Sequence, residues 1–160
     1  MEILEEVAPL LSSLATPSHV YAKWGAISEA TIAEQVLGLA VVAQADWAHQ
    51  AVAGAAGPTS ALEVESALEP VDEAGAIELM TNLSAFDLVY SRHPLRDRDH
   101  AKRAATRVAK LLGRDTIWVT NMEATGDGRA WTPVTRHGID VVVAGVTAEF
   151  FVILLGLGDD

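Results

Sequence analysis

The chain has 160 residues, 50% hydrophobic and 21% charged, enough for one domain with a sizeable core and too apolar to be disordered. It contains no cysteine, which excludes disulfide staples, thiolate metal sites and a thiol nucleophile together. Eleven Lys and Arg against 22 Asp and Glu give a net charge of −11, which opposes general binding to nucleic acid.

Ile3, Leu4, Val7, Leu10, Leu11 and Leu14 recur at helical spacing, predicting an amphipathic helix to about Ala15 with a kink or fresh start at Pro9. Ser28 is expected to cap a second helix. Its Ile32, Val36, Leu39, Ala40, Ala43 and Trp47 form one face, which Leu37, Val41 and Val42 widen until little polar face remains. Such a helix is expected at the centre of the core. Gly54 to Pro58 then breaks the chain.

Ser60 and Glu63 form a capping box for a short third helix ending near Glu69, before Pro70. Asp72 can cap a fourth, whose Leu79, Leu83, Phe86 and Tyr90 share a face until Pro94. Asp97 or Asp99 caps the fifth. There Ala101, Ala104, Ala105, Val108, Leu111 and Leu112 face inward, Arg103, Arg107, Lys110 and Arg114 stack along another side, and Gly113 is the stop.

Past Gly113 the period changes to two. Thr116, Trp118 and Thr120 alternate with Ile117, Val119 and Asn121, which predicts a half-buried strand. Thr125 to Gly128 is turn chemistry, and residues 130–135 are strand-like but contain Pro133, which confines them to an edge or the periphery. Ile139 to Val146 and Glu149 to Leu155 are apolar on both alternating faces and read as a hairpin turning near Thr147-Ala148. The 116–121 strand is expected to pair directly with this hairpin. The predicted fold is therefore α+β: about five helices in residues 1–113, packed on an antiparallel sheet of three to four strands in residues 115–157, within one domain. Both faces of the hairpin need cover, either from helices of this chain in a three-layer arrangement or from a second copy in a homodimer through the sheet.

The charge is unevenly placed. Residues 1–91 carry 13 acids and one base, Lys23, whereas residues 92–114 carry eight bases against Asp97 and Asp99. The basic stretch allows a phosphate contact, but docking against the acidic remainder of this chain or of a second copy is the plainer expectation. No apolar run approaches the roughly 20 residues that span a bilayer. The acidic Met1 to Glu6 segment lacks the positive charge of an export signal, so a cytoplasmic protein without membrane association is expected. Eight Arg to three Lys, with abundant Ala and Val, points to a GC-rich bacterial genome.

The densest polar group is His93, Asp97, Asp99 and His100, which has the atom types of a metal site although only Asp97 and His100 are spaced to share a helix face. Helix capping by the aspartates and solvated histidines is the competing reading. His137 and Asp140, at the start of the first long strand, could hold a general base or form a plain polar turn. No nucleotide-binding loop, hydrolase elbow or zinc-protease motif is present, and no cofactor is expected. Trp47 belongs to the second helix's core pattern. Trp118 is either part of a second layer or an exposed aromatic, and Trp131 beside the 125–128 turn is similar; exposed Trp beside Arg suits a binding surface.

Two functions follow. The first is an acidic protein-binding module, such as an inhibitor, antitoxin or immunity-type protein that neutralises another, basic protein. Its contact residues would come from Trp118, Trp131, Arg103, Arg107, Lys110 and Arg114, and its acidic surface would speed encounter. The second is a small-molecule-binding protein or small enzyme built on His93, Asp97, Asp99 and His100 or on His137 and Asp140.

Overall fold

A computed structural model describes residues 2–16, 19–46, 60–86, 95–122 and 139–158. Helix α1 (Glu2–Leu14) leads into strand β1 (Val20–Ala26). Helices α2 (Ile32–Asp46) and α3 (Ala61–Ala67) precede strand β2 (Glu69–Val71). Helices α4 (Glu73–Ala85) and α5 (Arg98–Leu112) are followed by strands β3 (Ile117–Thr120), β4 (Ile139–Val146) and β5 (Phe150–Gly158). The fold is α+β with five described strands in one antiparallel sheet, ordered β1-β5-β4-β3-β2.

The starts of α2 to α5 are fixed locally. Ser60 accepts the Glu63 N–H at 3.3 Å, and Asp72 accepts the Gly75 N–H at 2.7 Å. Asp97 accepts the Asp99 N–H at 3.2 Å, and Gly113 ends α5 with φ 96°, a conformation that favours glycine. The cap of α2 is not Ser28, whose hydroxyl accepts from the Ala30 N–H at 3.3 Å. Thr31 takes that place in a reciprocal box with Glu34: the Glu34 N–H donates to Thr31 Oγ1 at 3.2 Å, and the Thr31 N–H to Glu34 Oε1 at 3.3 Å. Pro9 does not interrupt α1. It lies on the exposed side, one turn beyond the exposed Glu5, so water can satisfy the carbonyl that the ring leaves unbonded.

The sheet's alternation sorts the core into two clusters. On one face Val20, Trp118, Val141, Val143, Val152 and Leu154 meet α1, α4 and α5. On the other, Val142, Ala144, Phe151, Ile153, Leu155 and Leu157 meet α2 and α3. The hairpin's apolar faces are thus both covered by helices of this chain, in three layers, and a homodimer is not needed to cover either. The β3 strand pairs with β4 as its pattern implies, from Ile117 opposite Val146 to Thr120 opposite Val143. The hairpin turn is closed by the Thr147 N–H donating to the Phe150 carbonyl at 2.8 Å.

Three further expectations are corrected. Residues 1–113 are not purely helical. Val20 to Ala26 form an edge strand on β5, and Glu69 to Val71 form the opposite edge on β3, where Pro70 is tolerated because only one side of the strand must bond. The α2 helix is not central: its Val36, Leu39, Ala40 and Ala43 cover the sheet, while Val41 and Val42 are more than half exposed. Finally, α4 stops at Ala85, with Phe86 extended, so Phe86 does not continue its stripe. The Pro133 segment, Trp47, Tyr90 and Pro94 lie outside the described residues.

On the first face α1 lies against β1, α4 lies against β3, β4 and β5, and α5 packs on both α1 and α4. The packed side of α5 is almost all alanine: Ala101, Ala104, Ala105 and Ala109, with Val108. Small side chains let the helix axes approach closely, and no space is left for longer ones. Ala105→Leu is therefore expected to destabilise the protein by about 1–3 kcal/mol in urea unfolding, against near-zero change for Thr106→Ala one position away.

Candidate functional site

The side of α5 that packing leaves free is the basic one. Lys102, Arg103, Arg107, Lys110 and Arg114 are all exposed, and Asp99, Lys102, Arg103, Thr106, Arg107 and Lys110 line a shallow surface groove of about 370 Å³. The opposite, alanine-rich side fixes this orientation, because a helix with one packed stripe must turn its other stripe to solvent. From Lys102 to Lys110 the cations span roughly 12 Å along the axis at 1.5 Å per residue, and Arg114 lies beyond Gly113, where α5 has ended.

Neighbouring acids neutralise little of this row. Arg107 meets Glu6 of α1 at 3.8 Å, with both side chains more than half exposed, so the pair contributes little. Arg98, at the start of the helix, bonds Glu78 of α4 at 2.6 Å. Among the described residues Lys102, Arg103, Lys110 and Arg114 have no ion-pair partner. Arg103 and Arg107, and Arg107 and Lys110, stand three or four residues apart, where like charges repel, while Asp99 stands three and four residues before Lys102 and Arg103 and Lys110 lies in the last turn, both favourable placements.

The sequence-predicted site residues separate. Arg103, Arg107 and Lys110 come together on the groove, whereas Arg114, expected in the same stack, lies beyond the Gly113 stop and does not line it. Trp118 does not join them: it is 3% exposed, packed in the core with its indole resting on Gly145, so the second-layer alternative is the one observed. Its Nε1 has no hydrogen-bond partner among the described residues. Trp131, His93 and His137 lie outside the described residues. Asp97 caps α5, while His100 Nε2 lies 3.0 Å from Ser13 Oγ and helps join α5 to α1, as Arg96 does by donating to the Ala15 carbonyl at 3.1 Å. Among the described residues no three His, Asp or Glu side chains are grouped to hold a metal ion.

Asp140 is fully buried, and its Oδ1 accepts from Asn121 Nδ2 at 2.8 Å. The same Asn121 accepts the Val142 N–H at 2.8 Å, so the pair stitches β3 to β4. Sequence reading missed the role of Asn121, for which no local signal exists. It also missed Lys102, which the helical wheel places beside Thr106 on the groove.

Comparison with protein-family models, with curated proteins and with solved structures finds no match for this chain. Among the described residues, no helix is long and apolar enough to cross a membrane.

Proposed function

We propose that this chain is a protein-binding module that docks its partner on the basic face of α5. One observation carries the reading: a row of exposed cations, most of them without an ion-pair partner among the described residues, on a chain of net charge −11. An inhibitor or immunity-type role, in which the module neutralises its partner by occupying it, fits the chain's size and polarity. The acidic body attracts a basic partner at long range, and the α5 row fixes the register at contact.

The test is the double variant Arg103→Glu with Lys110→Glu. The carboxylate introduced at position 103 would stand one turn before Arg107 but one turn after Asp99, and that at 110 would face the carboxyl end of the helix, so thermal stability is expected to fall only slightly. Quantitative affinity capture from the native host should show one protein retained by the wild type and lost from the variant. Recovery of the same proteins at the same yield would remove α5 from the interface. With the partner in hand, the association rate is expected to fall as salt rises from about 0.05 to 0.5 M, since the Debye length shrinks below the spacing of the cations.

A further inference from the structure

The sheet ends differently at its two edges. Strand β2 is three residues long, carries Pro70 and leaves Glu69 exposed, all of which discourage further strand pairing. Strand β1 has seven residues and no proline. The Leu157 N–H donates to the His19 carbonyl and the Ile27 N–H to the Glu149 carbonyl, both at 2.8 Å. In an antiparallel pair such bonds recur at every second residue, so Tyr21, Lys23 and Gly25 bond β5. Val20, Ala22, Trp24 and Ala26 therefore aim their backbone groups outward. Thr16 takes both groups of Val20, at 2.9 and 3.1 Å. Among the described residues nothing bonds those of Ala22, Trp24 and Ala26.

We propose that this edge pairs with the same edge of a second copy, antiparallel about a twofold axis at Trp24, joining the two sheets into one. An extended chain matches donors and acceptors that recur at every second residue. With Trp24 opposite its copy, Ala22 of one chain meets Ala26 of the other, and all three residues are bonded. The two indoles form a cross-strand aromatic pair, and Lys23 meets Gly25. An axis at Lys23 would set the lysines face to face and leave Ala26 unpaired. An axis at Gly25 would leave Ala22 unpaired.

The charge pattern selects a second copy. A basic partner is drawn to acids, which this surface lacks, whereas two chains at −11 can meet only where acids are missing. From Val20 to Ile27 the only charge is Lys23, and α2, which lies on β1, has none from Gln35 to Ala45. Lys23 runs along the face of the sheet and not across its edge: its Nζ would lie 3.7 Å from a Cβ at Gly38 of α2. Val41 and Val42 stand three and four residues after Gly38, on its side of α2, and are 56% and 55% exposed. The edge is thus flanked by an apolar helix surface, which a second copy covers with its own.

The experiment uses the full chain, which has no cysteine of its own. Ala22→Cys with Ala26→Cys places two thiols about 13 Å apart within one chain, too far to bridge, yet opposite each other across the axis at about 5.5 Å between Cα atoms. Under mild oxidation the double variant is expected to form a covalent dimer at least about tenfold faster than either single variant, whose thiols the axis holds about 13 Å apart. The wild type is expected to sediment as a dimer at about 100 µM. Ala22→Pro removes an outward donor and leaves the bonds to β5, so it should sediment as a monomer with unchanged helix content. Val42→Glu should weaken the dimer about tenfold, while Leu62→Lys on α3 should not.

A monomeric wild type would overturn the proposal, whether or not a strand of another protein takes the edge. So would a dimer whose double-cysteine variant crosslinks no faster than the single ones. The docking face on α5 fails or stands apart from this one: Arg103→Glu with Lys110→Glu leaves β1 untouched and should dimerise as the wild type does.

Discussion

Replacing Gly145 with alanine is expected to cost about 2–4 kcal/mol of stability, as large as removing a core side chain although it adds a single methyl. Trp118 and Gly145 are direct partners across β3 and β4, and the indole lies over the glycine. A Cβ built at 145 would stand 2.6 Å from Cζ3, 2.8 Å from Cη2 and 2.9 Å from Cε3 of Trp118. The ring cannot retreat, because it is 3% exposed and its neighbours in the cluster are equally buried. The origin of the cost can be isolated by a double-mutant cycle in urea. Trp118→Leu alone leaves a cavity and destabilises by itself, but in that background Gly145→Ala should cost under about 1 kcal/mol. Additive effects would show that the glycine is required by the backbone and not by the indole.

The same pair shows where sequence reading reaches its limit. Period-two alternation in 116–121 gives the strand and groups Trp118 with Thr120, yet it cannot say which side faces α1, α4 and α5 and which faces α2 and α3. That is decided by α4 lying on β3, β4 and β5, a long-range contact. Edge strand β1 was hidden for a related reason. Val20, Ala22 and Trp24 do alternate with Tyr21 and Lys23, but the pattern is diluted by Ala, Lys and Gly, and the partner strand begins at Phe150. Caps and turns at Ser60, Asp72, Asp97, Gly113 and Thr147 were legible because their hydrogen bonds close within four residues.

The α2 helix misleads by composition. A segment without charge from Gln35 to Ala45 looks like a core helix, but apolarity states only what a residue tolerates. How many faces are covered depends on how many elements pack nearby, and here α3 is the helix beside it. The basic face of α5 was legible for the opposite reason. Its spacing at 103, 107 and 110 is a property of the helix, and the alanines opposite supply the packing side, while Arg114 falls beyond the Gly113 stop. Which acids would come to meet it was not legible, since Glu6 and Glu78 lie far away in the chain.

Asn121→Ala is expected to destabilise the protein by about 3 kcal/mol, more than an ordinary exposed-to-intermediate polar truncation. The β3 ladder ends at Thr120, and beyond it the Asn121 side chain takes over as the bonding group. Its Nδ2 donates to Asp140 Oδ1 at 2.8 Å and to the Asp140 carbonyl at 3.2 Å, and its Oδ1 accepts from the Val142 N–H at 2.8 Å. Removing the amide strips a donor from a fully buried carboxylate and leaves a buried backbone N–H unbonded. Two readouts separate this from simple loss of packing. Hydrogen exchange at the Val142 amide should accelerate by at least tenfold, while Val143 on the same strand is affected less. In a cycle with Asp140→Ala, the coupling between the two sites should be about 1–3 kcal/mol. A variant of near-native stability, with Val142 still protected, would mean that water replaces the amide, and the β3–β4 junction would then owe its register to the backbone pairs from Ile117 to Thr120 alone.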